Sequence, residues 1–221
     1  MKRGNSIPAS LEHVVYYPTK PADKYPAIIA LHGRGTDEHD LAPLVFSLGL
    51  DGALVISPRA PRPFQFGGGF AWYDLGEEGV PEAETFRASL DLLRRFIVEV
   101  KAGYSLDRTI LLGFSQGTVM AYAAALLDPD SFRGVAALSG YIPQHSGLTF
   151  RLDRLGGLSV FISHGSFDEV IPLQLGRESA ELLKGSGARV EYHEYPMGHE
   201  VRQETLRDLS AWTKDMFEKH V

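Results

Sequence analysis

The pentapeptide Gly113-Phe114-Ser115-Gln116-Gly117 is the segment whose residue types and spacing most directly indicate chemistry. It follows the run Thr109-Ile110-Leu111-Leu112 and precedes a stretch with helical spacing that begins near Thr118. A serine at a sharp turn from a strand into a helix has a strained backbone, and the flanking glycines let neighbouring backbone pass close by. This context predicts Ser115 to be a nucleophile exposed above a sheet, although the pentapeptide alone also fits an ordinary glycine-flanked turn.

A serine hydroxyl needs a general base within hydrogen-bond reach and a carboxylate that holds the base in the right tautomer. On an elbow of this type the chain order is serine, acid, histidine. His199 follows the last predicted strand and precedes the last predicted helix, at the carboxyl edge of the sheet, and is the predicted base. His193 lies within that strand and is expected to be structural or exposed. The other histidines beyond the serine are His145, His164 and His220.

Asp168 is the predicted acid, because it lies on the loop after the strand that ends at His164. Its neighbour Glu169 is the alternative acid and is expected to point elsewhere. His164 is expected to brace this loop from the core. Ser139 also follows a strand, but it lacks the elbow glycine before it, and a structural role is favoured.

A serine-catalysed acyl transfer forms an oxyanion that two backbone N–H groups can stabilise. One is predicted to be the N–H of Gln116, directly after the nucleophile, and the other that of Arg34, in the glycine-containing loop Leu31–Gly35. The alternative for this loop is a plain glycine turn. The sequence has no H-E-x-x-H or H-x-H pattern, and His39-Asp40 alone is weak, so neither a metal nor a cofactor is expected.

Apolar runs that alternate with helical stretches must position these residues. Strands are predicted at His13–Tyr17, Ala27–Leu31, Ala53–Ser57, Thr109–Gly113, Gly134–Ser139, Ser159–His164 and Arg189–Tyr195. Helices are predicted at Glu38–Leu48, Glu82–Ala102, Gln116–Leu127, Leu173–Lys184 and Arg202–His220. This alternation is typical of an α/β fold with a mostly parallel sheet.

The composition limits the classes of protein that remain. The chain has 221 residues, 44% hydrophobic and 23% charged, which favours one globular domain over residues 1–221. Its formal net charge of −6 makes a nucleic-acid partner unexpected. It has no cysteine, no apolar run that could span a membrane and no signal-peptide pattern, so a cytoplasmic location is expected.

A glycine-rich segment, Gly67-Gly68-Gly69, precedes Phe70-Ala71-Trp72-Tyr73. No helical pattern follows the glycines directly, which argues against a phosphate-binding loop. We expect a mobile loop whose aromatic residues contact substrate, with Phe70, Trp72 and Tyr73 as the candidate residues. For Trp72, a plain packing role is the alternative. Pro58–Pro63 is expected to be a rigid surface loop rather than a polyproline ligand.

Several segments together resemble the phospholipase/carboxylesterase family of α/β-hydrolases, which includes the acyl-protein thioesterases. The matching segments are Leu31–Gly35, Ser57–Pro61, Ala71–Leu75, Gly113–Gly117, His164–Pro172 and Met197–His199. The resemblance implies an α/β-hydrolase fold without a cap domain and a triad of Ser115, Asp168 and His199. It also implies oxyanion donors at Arg34 and Gln116 and hydrolysis of carboxylic esters without a cofactor.

Three positions depart from the thioesterase branch, in which the first loop reads H-G-L-G-D and a second glycine follows the elbow. Arg34, Thr36 and Thr118 stand there instead. The departures favour a bacterial-type carboxylesterase acting on small esters with short to medium acyl or aryl groups. A thioesterase or lysophospholipase is the alternative, a non-catalytic binding protein is the third interpretation, and both a monomer and a homodimer fit.

Overall fold

A computed structural model of the protein describes residues 1–76 and 79–218. The strands are β1 (Lys2–Arg3), β2 (His13–Tyr17), β3 (Tyr25–Leu31), β4 (Leu54–Pro58), β5 (Arg62–Pro63), β6 (Phe70–Ala71), β7 (Leu106–Phe114), β8 (Gly134–Leu138), β9 (Ser159–Gly165) and β10 (Arg189–Tyr195). The helices are α1 (Ala42–Ser47), α2 (Ala83–Gly103), α3 (Gln116–Leu127), α4 (Leu173–Leu183) and α5 (Gln203–Glu218).

Eight strands form one sheet in the order β1-β2-β4-β3-β7-β8-β9-β10. The pairings β1–β2 and β2–β4 are antiparallel, and the remaining pairings are parallel. All seven predicted strands are present in this sheet, so the predicted mostly parallel α/β architecture is confirmed. The sequence analysis missed the two-residue strands, namely β1 at the sheet edge and the β5–β6 hairpin.

Two layers of helices cover the sheet because its central strands are apolar on both faces. Ile29 of β3 packs into the core with α2, α3 and α4, whereas its neighbour Ile28 packs on the opposite face with α1 and α5. Both side chains are fully buried. This arrangement holds the sheet rigid and leaves the carboxyl ends of its parallel strands as the edge where a site can form.

Helix boundaries follow local capping chemistry. Glu82 caps α2, since its carboxylate accepts hydrogen bonds from the backbone N–H groups of Glu84 and Thr85. Helix α1 is shorter than the predicted Glu38–Leu48, because the Glu38 side chain binds an arginine outside the helix and a proline occupies the first turn of α1. The predicted end of the last helix, His220, lies outside the described residues.

The long connections at the carboxyl edge contain little regular structure. Residues 59–82 hold the β5–β6 hairpin in their described part, and residues 139–158 hold one 3₁₀ turn. Neither described segment adds a helical layer above the sheet, in agreement with the expected fold without a cap domain. The strand ends are therefore covered only by loops.

Candidate active site

Ser115 occupies a strained turn between β7 and α3. Its φ of 56° and ψ of −120° place it in a region that non-glycine residues rarely adopt, at a cost of about 1–3 kcal/mol. The backbone N–H of Ser115 donates to the Leu138 carbonyl at 3.0 Å, at the end of the neighbouring strand β8. The turn is thus held by the sheet itself, and the serine stands at its carboxyl edge.

The two glycines of the elbow are required by close backbone contacts. A Cβ atom at Gly113 would overlap the backbone of Gly117, and a Cβ at Gly117 would overlap the Leu31 carbonyl. The start of α3 therefore passes directly against the end of β3. This contact brings the loop after β3 next to Ser115.

His199 and Asp168 form a buried hydrogen-bonded pair. His199 Nδ1 lies 2.8 Å from Asp168 Oδ2, and Asp168 Oδ1 accepts the backbone N–H groups of Val170 and Ile171, each at 2.9 Å. The Asp168 side chain is fully buried and that of His199 is 16% exposed. Because the carboxylate accepts at both oxygens, His199 carries its proton on Nδ1, which leaves Nε2 as the acceptor.

The loops that carry this pair are locked together by backbone contacts. The N–H of Phe167 donates to the Met197 carbonyl at 3.0 Å, and that of Ser166 donates to the Tyr195 carbonyl at 2.8 Å. A Cβ at Gly165 would overlap the carbonyls of Met197 and Gly198. The acid and the histidine, 31 positions apart, are thereby fixed relative to each other.

A cleft of about 380 Å³ brings the predicted catalytic groups together. Ser115, Gln116, Arg34 and His199 all line it, and the His199 ring lies 4.8 Å from that of Phe114, the residue before the serine. In the described part of the chain no acceptor binds the backbone N–H of Arg34 or that of Gln116. The cleft therefore combines a hydroxyl, an imidazole with a free acceptor nitrogen and two unpaired N–H donors.

The sequence profile of the phospholipase/carboxylesterase family matches residues 12–216. This chain belongs to that family. Acyl-protein thioesterase 1 of Candida albicans is 33% identical over 215 residues, which span 87% of this chain and 93% of that protein. Carboxylesterase SOBER1 of Arabidopsis thaliana is 26% identical over 202 residues, which span 85% and 89%.

Solved structures give the same assignment. The Bacillus cereus carboxylesterase aligns with a TM-score of 0.81 and 26% identity, over 94% of this chain and 95% of that one. The protein is therefore an ester-hydrolysing member of the family with an α/β-hydrolase fold. None of the helices within residues 1–76 and 79–218 combines the length and the apolar character that a bilayer-crossing helix needs.

His32 supports the predicted oxyanion loop, Leu31–Gly35, a role that the sequence analysis did not assign. Its Nε2 accepts the Ala60 N–H at 3.0 Å, and its Nδ1 lies 2.7 Å from the Gly33 carbonyl, to which it donates. Burial lowers the pKa of His32, so the ring stays neutral. The Trp72 indole N–H donates to the His32 carbonyl at 2.9 Å. The Leu-His-Gly start of the loop is the sequence feature that could have indicated this supporting role of His32.

Two of the three residues predicted to contact substrate do not line the cleft. Trp72 is fully buried and lies outside the cleft, because its indole packs beneath the oxyanion loop. The ring of half-buried Phe70 lies 4.7 Å from the Arg59 guanidinium and also does not line the cleft. Tyr73 does line it, beside Tyr141. Aromatic residues in a glycine-rich segment pack inward here because the segment forms the β5–β6 hairpin against the oxyanion loop.

Residues that the sequence analysis did not identify form the other walls. A second cavity of about 350 Å³ adjoins the cleft, and both are lined by Gly79, Tyr141, Val170 and Ile171. Apolar side chains line its far part, among them Val80, Pro81, Ile142 and Leu175. Such walls come from three loops distant in sequence, so no local pattern could have indicated them.

Of the remaining histidines and acids, His164 lies beside the proposed acid, with its Nε2 3.5 Å from Asp168 Oδ2, and the others lie farther from the triad. His164 is fully buried and donates to the Ile171 carbonyl at 2.8 Å, which braces the acid loop as expected. His193 pairs with Glu191 at the surface. Glu169 is exposed, and His145 lines the second cavity. Nothing in residues 1–76 or 79–218 gathers three potential metal ligands in one place.

Proposed function

We propose that this enzyme cleaves esters with Ser115 as nucleophile, His199 as general base and Asp168 as the carboxylate that orients the base. The observation that carries the proposal is the buried Asp168–His199 hydrogen bond of 2.8 Å beside a serine held in a strained elbow on the same cleft. A pair in this tautomer presents an unprotonated Nε2 to the hydroxyl, which is the requirement for base catalysis.

The reaction proceeds in two halves. His199 Nε2 takes the proton of Ser115 as Oγ forms a bond to the ester carbonyl carbon, and the same proton then passes to the leaving alcohol as the ester bond breaks. Water repeats the sequence on the acyl-enzyme and releases the acid. In both halves the oxyanion accepts hydrogen bonds from the N–H groups of Arg34 and Gln116, each contributing about 2.7–4 kcal/mol to the lowering of the barrier.

The Gln116 side chain keeps these donors in place. Its Nε2 donates to the Tyr73 carbonyl at 2.9 Å and its Oε1 accepts the Trp72 N–H at 3.0 Å. On the other side, the Gly35 N–H donates to the Phe70 carbonyl at 2.8 Å, with Gly35 at a φ of 85°. The donors are thus preorganised and need little reorganisation during the reaction.

The substrates are small carboxylic esters with short to medium acyl groups. Loops cover the cleft in the described part of the chain, and the room for an acyl group is limited to the cleft of about 380 Å³ and the adjoining cavity of about 350 Å³. Arg34 and Thr36 on the cleft wall depart from the thioesterase pattern. Thioester hydrolysis is the second candidate, since a relative 33% identical is named an acyl-protein thioesterase. We also retain three expectations as proposals: one domain over residues 1–221, a cytoplasmic location, and action as a monomer or homodimer.

The proposal is tested by fluorophosphonate labelling and by turnover of ester and thioester series of graded length. Ser115→Ala should abolish labelling and lower kcat by about 10⁶. Ser166→Ala is the matched control, because this exposed serine lies near the pair without facing the cleft. A Ser115→Ala protein that keeps more than a few per cent of the rate would remove this serine from the mechanism. Activity lost in EDTA and restored by zinc would contradict the metal-free reaction.

A further inference from the structure

The cleft contains an arginine whose charge has no partner. Within the described residues, no carboxylate lies within ion-pair distance of Arg34, and its guanidinium instead lies 5.4 Å from the ring of Phe64. The two other arginines near this loop, Arg59 and Arg62, are paired with Glu38 and Asp74. The exposed Arg34 side chain is therefore available to a ligand.

The Arg34 charge lies close enough to the cleft to act on one of its wall residues. Arg34 lines the cleft, and its guanidinium acts on the buried Tyr73 hydroxyl, where it opposes the rise that burial causes in the pKa of that tyrosine. Tyr141, which is half-buried, lines the same wall as Tyr73. A ligand group between these residues would meet one cation and a hydroxyl donor.

Among the described residues, one carboxylate lines the cleft and must be weighed against this cation. Asp40 lines the same wall, but its Oδ2 accepts the Thr36 hydroxyl at 3.1 Å and it forms no ion pair with Arg34. The Thr36 hydroxyl is itself anchored at the Gly33 carbonyl, 3.0 Å away. Asp40 therefore lowers the positive potential at the site without occupying the guanidinium.

We propose that the Arg34 guanidinium binds a carboxylate carried on the acyl group of the substrate, so that half-esters of short dicarboxylic acids are preferred to neutral esters. Arginine presents paired N–H donors that match a carboxylate. The acyl group is the part concerned because the N–H of the same residue binds the acyl carbonyl oxygen in the proposed mechanism. This inference rests on the proposed function.

The test compares two aryl esters of equal length, p-nitrophenyl hemiglutarate and p-nitrophenyl pentanoate, by their ratio of kcat/KM. The wild-type ratio should exceed one and should fall as ionic strength rises, because salt screens an exposed guanidinium. Arg34→Gln should lower the ratio about tenfold, because the amide removes both the charge and the paired N–H donors of the guanidinium. Arg34→Lys should lower it less, and Asp40→Asn should raise it.

Arg62→Gln is the matched control, because this arginine is paired on the hairpin outside the cleft, and its ratio should equal that of the wild type. An unchanged ratio in Arg34→Gln, or a wild-type ratio at or below one that is insensitive to salt, overturns the inference. If Arg34→Gln does not fold, Arg34→Lys and the salt series decide. Ser115→Ala distinguishes failure of this inference from failure of the proposed function. If Ser115 is not the nucleophile, the Ser115→Ala protein will still hydrolyse both esters.

Discussion

Replacement of Asp168 by asparagine should inactivate the esterase while leaving it folded, because the amide can take only one orientation. Oδ1 of Asp168 accepts two backbone N–H groups, from Val170 and Ile171, and Oδ2 accepts the proton on His199 Nδ1. In the Asp168→Asn variant the amide oxygen is expected to stay on the two backbone donors. The amide NH₂ then faces His199 and forces the imidazole proton onto Nε2.

The size of the effect follows from the alternative orientation. A flipped amide would restore the useful tautomer but would leave two buried backbone N–H groups facing an NH₂ group, at about 1–3 kcal/mol each. The flipped form is therefore disfavoured by roughly 2–6 kcal/mol, so the full 10⁴-fold loss requires the upper end of this range, and the lower end would leave about one thirtieth of the rate. The tautomer error itself lowers kcat by about 10⁴ in a serine triad, equivalent to about 5.5 kcal/mol.

The assay is kcat for a p-nitrophenyl ester together with thermal unfolding. Asp168→Asn should be about 10⁴-fold slower with a Tm close to that of the wild type, whereas Asp168→Ala should also unfold earlier because both backbone N–H groups lose their acceptor. Glu169→Gln is the control and should stay active, since Glu169 is exposed. The reasoning fails if Asp168→Asn keeps more than about a tenth of the rate, and activity lost in Glu169→Gln would make Glu169 the acid.

Glu38→Gln should lower the free energy of unfolding at pH 7 by about 1.5–3 kcal/mol in urea titrations. Arg59 lowers the pKa of Glu38 in the folded state, so this stabilisation is fully present above the unfolded pKa of about 4.5 and is lost as pH falls through the lower folded-state pKa. If Glu38→Gln were still less stable than the wild type at pH 2, this reasoning would be wrong. Gly117→Ala should fold poorly because its Cβ meets the Leu31 carbonyl, whereas Gly52→Ala, with open space around it, should unfold like the wild type in calorimetry. Trp72→Ala should lower the free energy of unfolding by about 3–5 kcal/mol and Tm by roughly 6–20 °C, without changing the preferred acyl length. A changed preference at an unchanged Tm would show that Trp72 contacts the substrate. Along an aryl ester series, kcat/KM should rise about fourfold per methylene and then level off at short lengths, and a rise that continues to palmitoyl esters would favour the lysophospholipase or thioesterase interpretation.

Local sequence patterns predicted much of the fold. Most of the predicted strands are covered by helices on both faces and are therefore apolar throughout, whereas β10, at the sheet edge, contains polar and exposed residues. The elements that were missed or shifted depend on non-local contacts: β1 is polar and pairs only at an edge, and α1 loses its first turn because Glu38 binds Arg59, 21 positions away.

The candidate site also contains residues that local patterns predict and residues that depend on distant contacts. Ser115, Asp168 and His199 each follow a strand, and parallel strands end at a common edge, so their proximity could be expected from the sequence. The inward packing of Trp72 and Phe70 could not, because their partners, the His32 carbonyl and the Arg59 guanidinium, lie far away in the sequence. The walls of the cleft were unpredictable for the same reason.

The parallel register of the central strands also determines when activity can appear during folding. Ala27 of β3 pairs with Thr109 of β7, and the same pairing brings the carbonyl of Leu31 against Gly117. Topologies rich in such distant pairings cross a slow, entropically costly transition state, whereas individual helices form within microseconds. After dilution from denaturant, helical signal should therefore return before turnover does, and ester hydrolysis becomes a kinetic reporter of the completed sheet.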